Sequence, residues 1–324
     1  MGNQFSQAFP PAPTFTEKSL TGDLTNKVYL VTGANAGVGK ELARILYSLN
    51  GTVYLGARSA EKAQSAIQWI KEQHPNAQGA LHYLHLDLDN LEGIKASAEA
   101  FLSKEKRLDV LFNNAGVMMP PPGTTTTQGY ELQLGTNCVA PFLFTKLLTP
   151  ILVETAKKEV TGSVRVIWVS SSAAHLFSPT GGVDMQNLNY KNDKSKEHKY
   201  AVSKGGNILH ALEFGRRYKD QGVVSVSLNP GNLSSDLGRH LPSLQAYIVS
   251  WLTYPCVNGA YTEFFAGLAP DVAALKQDEW VIPFGRITKL RKDLADAGRS
   301  EEEGGSGRAK EFWEWSEGEV SKYI

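Results

Sequence analysis

The chain has 324 residues, 42% of them hydrophobic, with 33 Lys plus Arg against 33 Asp plus Glu for a formal net charge of zero. A chain of that length can bury a large core without disulfides or metals, and the balanced charge gives no footing for nucleic acid or an anionic membrane. Two cysteines, Cys138 and Cys256, make neither a disulfide framework nor a metal-ligand spacing, so reduced thiols in a cytoplasmic chain are expected.

In chain order, residues 1–26 carry Pro10, Pro11 and Pro13 but no basic start and no continuous apolar core. They read as an extended arm and not as a signal peptide. The start Met1-Gly2-Asn3-Gln4-Phe5-Ser6 also fits the loose N-myristoylation pattern. Val28 to Thr32 is a short apolar run ending at Gly33, the pattern of a buried strand. Val38, Leu42, Ile45, Leu46 and Leu49 form a helical stripe that Asn50-Gly51 ends. Thr52 to Ala57 reads as a second strand, residues 59–73 as a helix closed before Pro75, and Ala80 to Leu86 as a third strand. Leu91, Ile94, Ala98, Phe101 and Leu102 mark one helix face, and Val110 to Phe112 is a fourth strand stopped by Asn113-Asn114-Ala115-Gly116.

A helix is expected from Asn137 to Glu159, a fifth strand from Ser163 to Val169, a helix around Tyr200 to Tyr218 and a strand from Val223 to Leu228. Trp280-Val281-Ile282-Pro283 reads as an edge strand. Three segments break the rhythm: 173–199, with the charged run Lys191 to Lys199; 232–258; and the tail from Ser300, where glutamates and glycines precede Phe312, Trp313 and Trp315. No apolar run reaches the length of a membrane span, the best candidate being Tyr247 to Leu252. Repeated strand–helix units with right-handed crossovers predict an α/β, Rossmann-type doubly wound parallel sheet in the order 3-2-1-4-5-6-7, with helices on both faces.

Thr32-Gly33-Ala34-Asn35-Ala36-Gly37-Val38-Gly39 falls between the first strand and the first helix of the sheet. Gly33 permits a sharp exit from the strand. Gly37 and Gly39 let backbone approach a pyrophosphate, which the free N–H groups and positive dipole of the helix N-terminus attract. The second strand ends in Gly56-Ala57-Arg58-Ser59 with no carboxylate to accept the ribose hydroxyls of NAD. Arg58 can instead pair with a 2′-phosphate, which favours NADP(H). Asp87, next to Leu88 after the third strand, either accepts from the adenine amino group or caps the helix before Leu91. Farther on, Tyr200 and Lys204 stand four apart. On a helix they share a face, and an ammonium beside a phenol pulls the phenol pKa down, making an acid–base group for work beside a nicotinamide. His175 and His198 show no metal spacing and are given no metal role.

Taken in order, Thr32-Gly33-x-x-x-Gly37-x-Gly39, Asn113-Asn114-Ala115-Gly116, Asn137, the serines after the fifth strand, Tyr200-x-x-x-Lys204 and Pro230-Gly231 resemble the short-chain dehydrogenase/reductase family across about residues 25–295. The long segment before Tyr200 and the N-terminal arm look like its retinol dehydrogenase-like and WW-domain oxidoreductase-like branch. The Asn229-Pro230-Gly231-Asn232-Leu233 wording and the tail look like fungal members. The resemblance implies that Tyr200 exchanges the proton with the substrate oxygen and that Lys204 lowers the Tyr200 pKa and binds the nicotinamide ribose. It implies that Asn137 sits at a helix irregularity and holds a water leading to Lys204. It places Ser171, with Ser172 the runner-up, on the substrate oxygen. The implied cofactor set is Gly33, Asn35, Gly37, Val38, Gly39, Arg58, Asp87, Leu88, Asn113, Ala115, Gly116, Tyr200, Lys204, Pro230, Leu233 and Ser235. Ser235 stands where the family more often has Thr, and Trp168 replaces a smaller polar residue before the serines, which bears on the cleft floor.

One dinucleotide-binding catalytic domain over 1–324 is expected, with 173–199 and 232–258 as substrate lids. Met118, Met119, Pro120, Pro121, Pro122, Leu176, Phe177, Leu237, Leu241, Tyr247, Trp251 and Tyr254 are candidates for apolar walls around a lipophilic ketone, aldehyde or alcohol. The expected activity is NADPH-dependent carbonyl reduction or its reverse in secondary metabolism. The alternatives are imine or enone reduction, a cofactor-assisted cyclisation in a biosynthetic pathway, and, in another class, a non-redox NADP-binding regulator. Homo-oligomers are common for the fold.

Overall fold

The computed structural model describes residues 2–20, 22–234 and 253–324. Its sheet has eight strands: β1 (Val28–Thr32), β2 (Thr52–Ala57), β3 (Ala80–His85), β4 (Val110–Asn113), β5 (Val164–Val169), β6 (Val223–Leu228), β7 (Glu279–Ile282) and β8 (Arg286–Lys289). They lie in the order β3-β2-β1-β4-β5-β6-β7-β8. The expected order holds through β7, but β7 is not the edge: β8 pairs antiparallel beyond it, from Glu279↔Lys289 to Ile282↔Arg286. The reversal comes from a tight connection at Pro283–Gly285, where Gly285 takes φ +81°.

Alternation along the strands divides the core into two layers. Tyr29 and Val31 of β1, with Ile167 and Val169 of β5, join a cluster under α2 (Gly37–Ser48), α3 (Ala60–Gln73) and the later helix Cys256–Leu268. Val28, Leu30, Val164, Val166 and Trp168 point the other way. That second layer is covered by α4 (Ile94–Leu102), α5 (Leu132–Ala156) and the central helix Lys196–Tyr218. Strands buried on both faces read as continuous apolar runs, which is why β1, β2 and β5 stand out in the sequence. In α2 the expected stripe Val38, Leu42, Ile45 and Leu46 is buried, and the helix stops at Ser48, before Asn50 at φ +69°.

Several expectations need correction. The N-terminal arm is not extended throughout: Gly2–Ala8 forms a helix, α1, and Glu17–Ser19 a single 3₁₀ turn. Arg286 of β8 donates to the Ser6 carbonyl at 2.7 Å, and Asn229 donates to the buried Gln7 side chain at 3.0 Å. The helix expected from Asn137 starts earlier, at Leu132, and carries a π-turn over Gly135–Val139 before running on to Ala156. By length and composition this 25-residue helix could cross a membrane, contrary to expectation, but 78% of its most apolar stretch is packed inside the protein. The irregular segment after β5 opens with a helix, α6 (Ser172–Phe177), and the charged run ends in the first turn of α7 (Lys196–Tyr218).

The helix Cys256–Leu268 is α8. Its C-terminal carbonyls at Ala266 and Ala269 are held at 2.9 Å each by the buried guanidinium of Arg165 from β5. Burial pulls that group down to about 10, still protonated at neutral pH. After α9 (Lys292–Ala297) the glycine-rich tail is not loose. It folds into α10 (Arg308–Val320), which buries Phe312 and Trp313 against α7.

Candidate active site

The glycine turn forms one wall of a cleft of about 630 Å³ lined by Gly33, Asn35, Gly37, Val38, Gly39, Ala115 and Gly116 among others. Gly33 and Gly37 have φ of +69° and +55°, a region side chains disfavour. A Cβ on Gly33 would lie 2.9 Å from the Ala115 Cα, and one on Gly39 would lie 2.5 Å from the Asn114 amide nitrogen. The glycines therefore serve packing of turn on loop as well as approach to a ligand. No side chain caps α2 at Ala36, so its first-turn N–H groups, on residues that line the cleft, suit an anion. The cradle fits a dinucleotide pyrophosphate.

At the C-terminal edge of β4 and β5 four side chains meet. The π-turn carries Asn137, whose Oδ1 accepts the Val117 N–H at 2.8 Å. Its Nδ2 donates to the Val117 carbonyl at 3.0 Å and to Ser203 Oγ at 2.9 Å. This clasp fixes the loop that contains Gly116. A Cβ on Gly116 would sit 3.1 Å from Asn137 Oδ1 and 3.2 Å from Lys204 Nζ, so the floor closes only over a glycine. Lys204 is buried, donates to the Val169 carbonyl at 2.9 Å, and stands 5.9 Å from the Tyr200 ring centre.

Burial pulls Lys204 down to about 8, against upward pulls from Cys138 and Glu263. Burial also pushes Tyr200 up to about 12, and hydrogen bonding from Ser171 draws it back. The expected lowering of Tyr200 by Lys204 is not seen: desolvation raises the phenol, Ser171 alone draws it back, and Nζ is committed to Val169.

The three serines separate by partner. Ser170 donates to the Lys204 carbonyl at 2.7 Å and is buried. Ser171 caps α6 by accepting the Ala173 N–H and faces Tyr200. Ser172 is the first residue of α6.

Other expected residues lie farther out. Arg58 is exposed just past β2, where Ser59 caps α3. Asp87 accepts the Asp89 N–H, whereas the cap before Leu91 is Asn90, so the capping alternative for Asp87 is corrected. Leu88 is buried. Asn113 turns its amide to Thr145 of α5, and its neighbour Asn114 lines the cleft instead. Pro230 and Leu233 are half-buried beside α8. Ser235, Leu237, Leu241, Tyr247 and Trp251 lie outside the described residues. Trp168 is no part of a cleft floor: it is fully buried, donates to Ser225 Oγ at 3.2 Å and packs on His210 and Phe214. Of the apolar candidates, Met118 and Pro120 line the cleft, while Leu176 and Phe177 are exposed.

Lys40, Lys62 and Trp69 line the cleft unpredicted, with Lys40 Nζ 4.0 Å from the Trp69 ring centre. Lys40 follows the last glycine of the turn, a signal the sequence did offer. Glu263 of α8 had no such signal.

Residues 27–183 match a family model described as short chain dehydrogenase. A protein of Phomopsis amygdali named short-chain dehydrogenase/reductase is 54% identical over 327 residues, covering 99% of this chain and 97% of its own. Two solved structures share the fold. The 3-ketoacyl-(acyl-carrier-protein) reductase of Brucella melitensis, complexed with NADH, superposes with a TM-score of 0.60 at 20% identity over 79% of this chain and 96% of its own. NADPH-bound carbonyl reductase from chicken fatty liver gives 0.57 at 23% over 78% and 94%.

Proposed function

The chain belongs to the short-chain dehydrogenase/reductase family, and from that premise we propose that it is an NADP(H)-dependent oxidoreductase. It moves a hydride between the nicotinamide and a lipophilic ketone or aldehyde, or the matching alcohol, with Tyr200 as acid and base. The observation that carries the reading is the convergence of Ser171 on the Tyr200 phenol with Lys204 and Asn137 under Gly116. When bound, the cofactor supplies or accepts the hydride. Gly33, Gly37, Gly39 and the α2 N-terminus would hold its pyrophosphate, and Lys204 would bind its ribose.

Tyr200, protonated at neutral pH by virtue of its burial, is in the state needed to donate toward a carbonyl oxygen. Ser171 is a second donor, and two positioned donors stabilise the charge that develops there. Arg58 beyond β2 and Lys40 and Lys62 in the cleft support NADP(H) over NAD(H), although Glu61 lines the same wall. A single catalytic domain with 173–199 and 232–258 as lids, a cytoplasmic location consistent with two cysteines that form no disulfide, and a place in secondary metabolism alongside fungal relatives belong to the same proposal.

The test is NADPH oxidation over a panel of aryl and polyene carbonyls with the wild-type chain and Tyr200→Phe. The variant is expected to keep NADPH binding by fluorescence and lose turnover. A variant that retains most turnover would remove Tyr200 from the chemistry. Product structure separates carbonyl from imine or enone reduction.

A further inference from the structure

Glu263 is the one charged residue of α8, fully shielded from solvent, and neither carboxyl oxygen has a hydrogen-bond partner among the described residues. An unpartnered buried carboxylate is costly, so a neighbouring charge or a bound proton has to compensate it. Its place on the helix is fixed by two glycines four residues away on either side. A Cβ on Gly259 would lie 2.2 Å from Leu233, and one on Gly267 would lie 2.5 Å from the Phe112 ring. Residues spaced by four share a face, so Glu263 points between the loop after β6 and the end of β4. Val169, the last residue of β5, packs its side chain into this layer. Its carbonyl takes the Lys204 Nζ, which arrives from the helix on the other face. The two side chains therefore approach the same strand ends from opposite sides of the sheet.

We propose that Glu263 is a positioning residue: from behind the sheet its carboxyl fixes the charge carried by Lys204, and Lys204 in turn fixes that of Glu263. The groups around the pair are few. Lys204 faces Cys138 from the π-turn, Tyr200 from its own helix and Glu263. Around α8, Arg165 of β5 is committed to the carbonyls of Ala266 and Ala269. Arg44 of α2 pairs with Glu41 and Glu17, and Glu279 of β7 accepts the Lys276 N–H. Among the described residues, Lys204 is the charge that acts on Glu263. Burial drives the carboxyl up to about 8 and the amine down to about 8, and each opposes the shift of the other. At such a meeting point the loss of either group changes the proton count of its partner.

The kinetic consequence rests on the reading of Lys204 given above, but the equilibrium one does not. Urea unfolding of the full chain, without cofactor, is measured from pH 5 to 10 for wild type, Glu263→Gln, Lys204→Met and the double variant. A carboxyl raised by folding contributes stability that is lost as pH climbs from its unfolded value toward its folded one. Glu263→Gln should thus gain on wild type between about pH 5 and 8, and in the Lys204→Met background the same gain should extend to higher pH. Identical pH dependence in both backgrounds would overturn the pairing. If the Gln variant does not fold, Glu263→Leu, which also removes the carboxyl, replaces it in the same cycle.

In the NADPH-oxidation assay, with whichever panel carbonyl is reduced, the alkaline limb of kcat/KM should fall by about half a pH unit or more in Glu263→Gln and return toward wild type in Glu263→Asp. Coupling in the unfolding cycle with an unmoved limb supports the pair and counts against Lys204 in the acid–base chemistry. An unmoved limb without coupling sinks the inference itself.

Discussion

His210 makes the acid side of stability calculable. Its ring is fully shielded in α7, stacked on Phe312 at 4.7 Å, with Phe142 at 4.9 Å and Trp168 at 5.4 Å between ring centres. Nε2 meets Ser316 Oγ at 3.0 Å, and Nδ1 has no partner among the described residues. Burial pushes the imidazole down from 6.5 to about 3. Between those values the unfolded chain binds a proton that the folded chain refuses, so stability rises with pH across the window and is lost as pH falls through it. The drop from 6.5 to about 3 corresponds to about 5 kcal/mol at full extent, and about 3 kcal/mol of it is felt by pH 4.

His210→Phe removes the titration and suits the aromatic surroundings, and Ser316 keeps its bond to the Phe312 carbonyl at 2.8 Å. Urea unfolding at pH 4, 5, 6 and 7 should find the variant within about 1.5 kcal/mol of wild type at pH 7. By pH 4 wild type should have lost about 3 kcal/mol more than the variant, since all other titrating groups are common to both. Parallel curves would mean that the ring takes up its proton while folded, and the burial argument would fail.

Gly39→Ala must displace both the Asn114 side-chain amide and the Gly33 carbonyl, 2.5 and 2.9 Å from the new methyl. It should cost about 1–3 kcal/mol in urea unfolding and weaken NADPH at least about tenfold by fluorescence titration. Ser171→Ala should lower kcat by about 10²–10³ through loss of a donor, while Ser172→Ala should stay within a few-fold; steady-state NADPH oxidation decides between them. Arg58→Ala should weaken NADPH by about tenfold and leave NADH unchanged, read as two dissociation constants by calorimetry.

Most of the scaffold could be read from the chain because its signals are local. A strand buried on both faces announces itself as an unbroken apolar run, and Gly33-x-x-x-Gly37-x-Gly39 stands where strand meets helix. What escaped depends on distant partners. Strand β8 is only Arg286-Ile287-Thr288-Lys289, one apolar residue in four, and it exists because β7 offers an open edge. Helix α1 has seven residues, too few to persist alone in water, and is held by Arg286 and Asn229. Helix α10 hides behind glutamates and glycines, and its reason to fold is the aromatic face of α7. The π-turn at Asn137 leaves no mark on periodicity, and the helix irregularity expected there came from the family resemblance alone; an acid inside Tyr261-Thr262-Glu263-Phe264-Phe265 reads as the exposed side of an amphipathic helix. In the site, the residues alone leave three consecutive serines open; the resemblance favours Ser171, and the strand exit geometry turns the Ser170 hydroxyl to the Lys204 carbonyl and Ser171 to Tyr200.

The brace between the first helix and Asn229 has a practical side. Asn229 accepts the Gly231 N–H at 3.1 Å while it holds Gln7, so the opening residues of the chain steady the bend that follows β6. A purification handle or reporter fused ahead of that helix would tug on the bend, and kinetics from such material would describe a loosened enzyme. The opposite terminus, where Ile324 is 48% exposed, is the safer anchor for immobilisation or labelling.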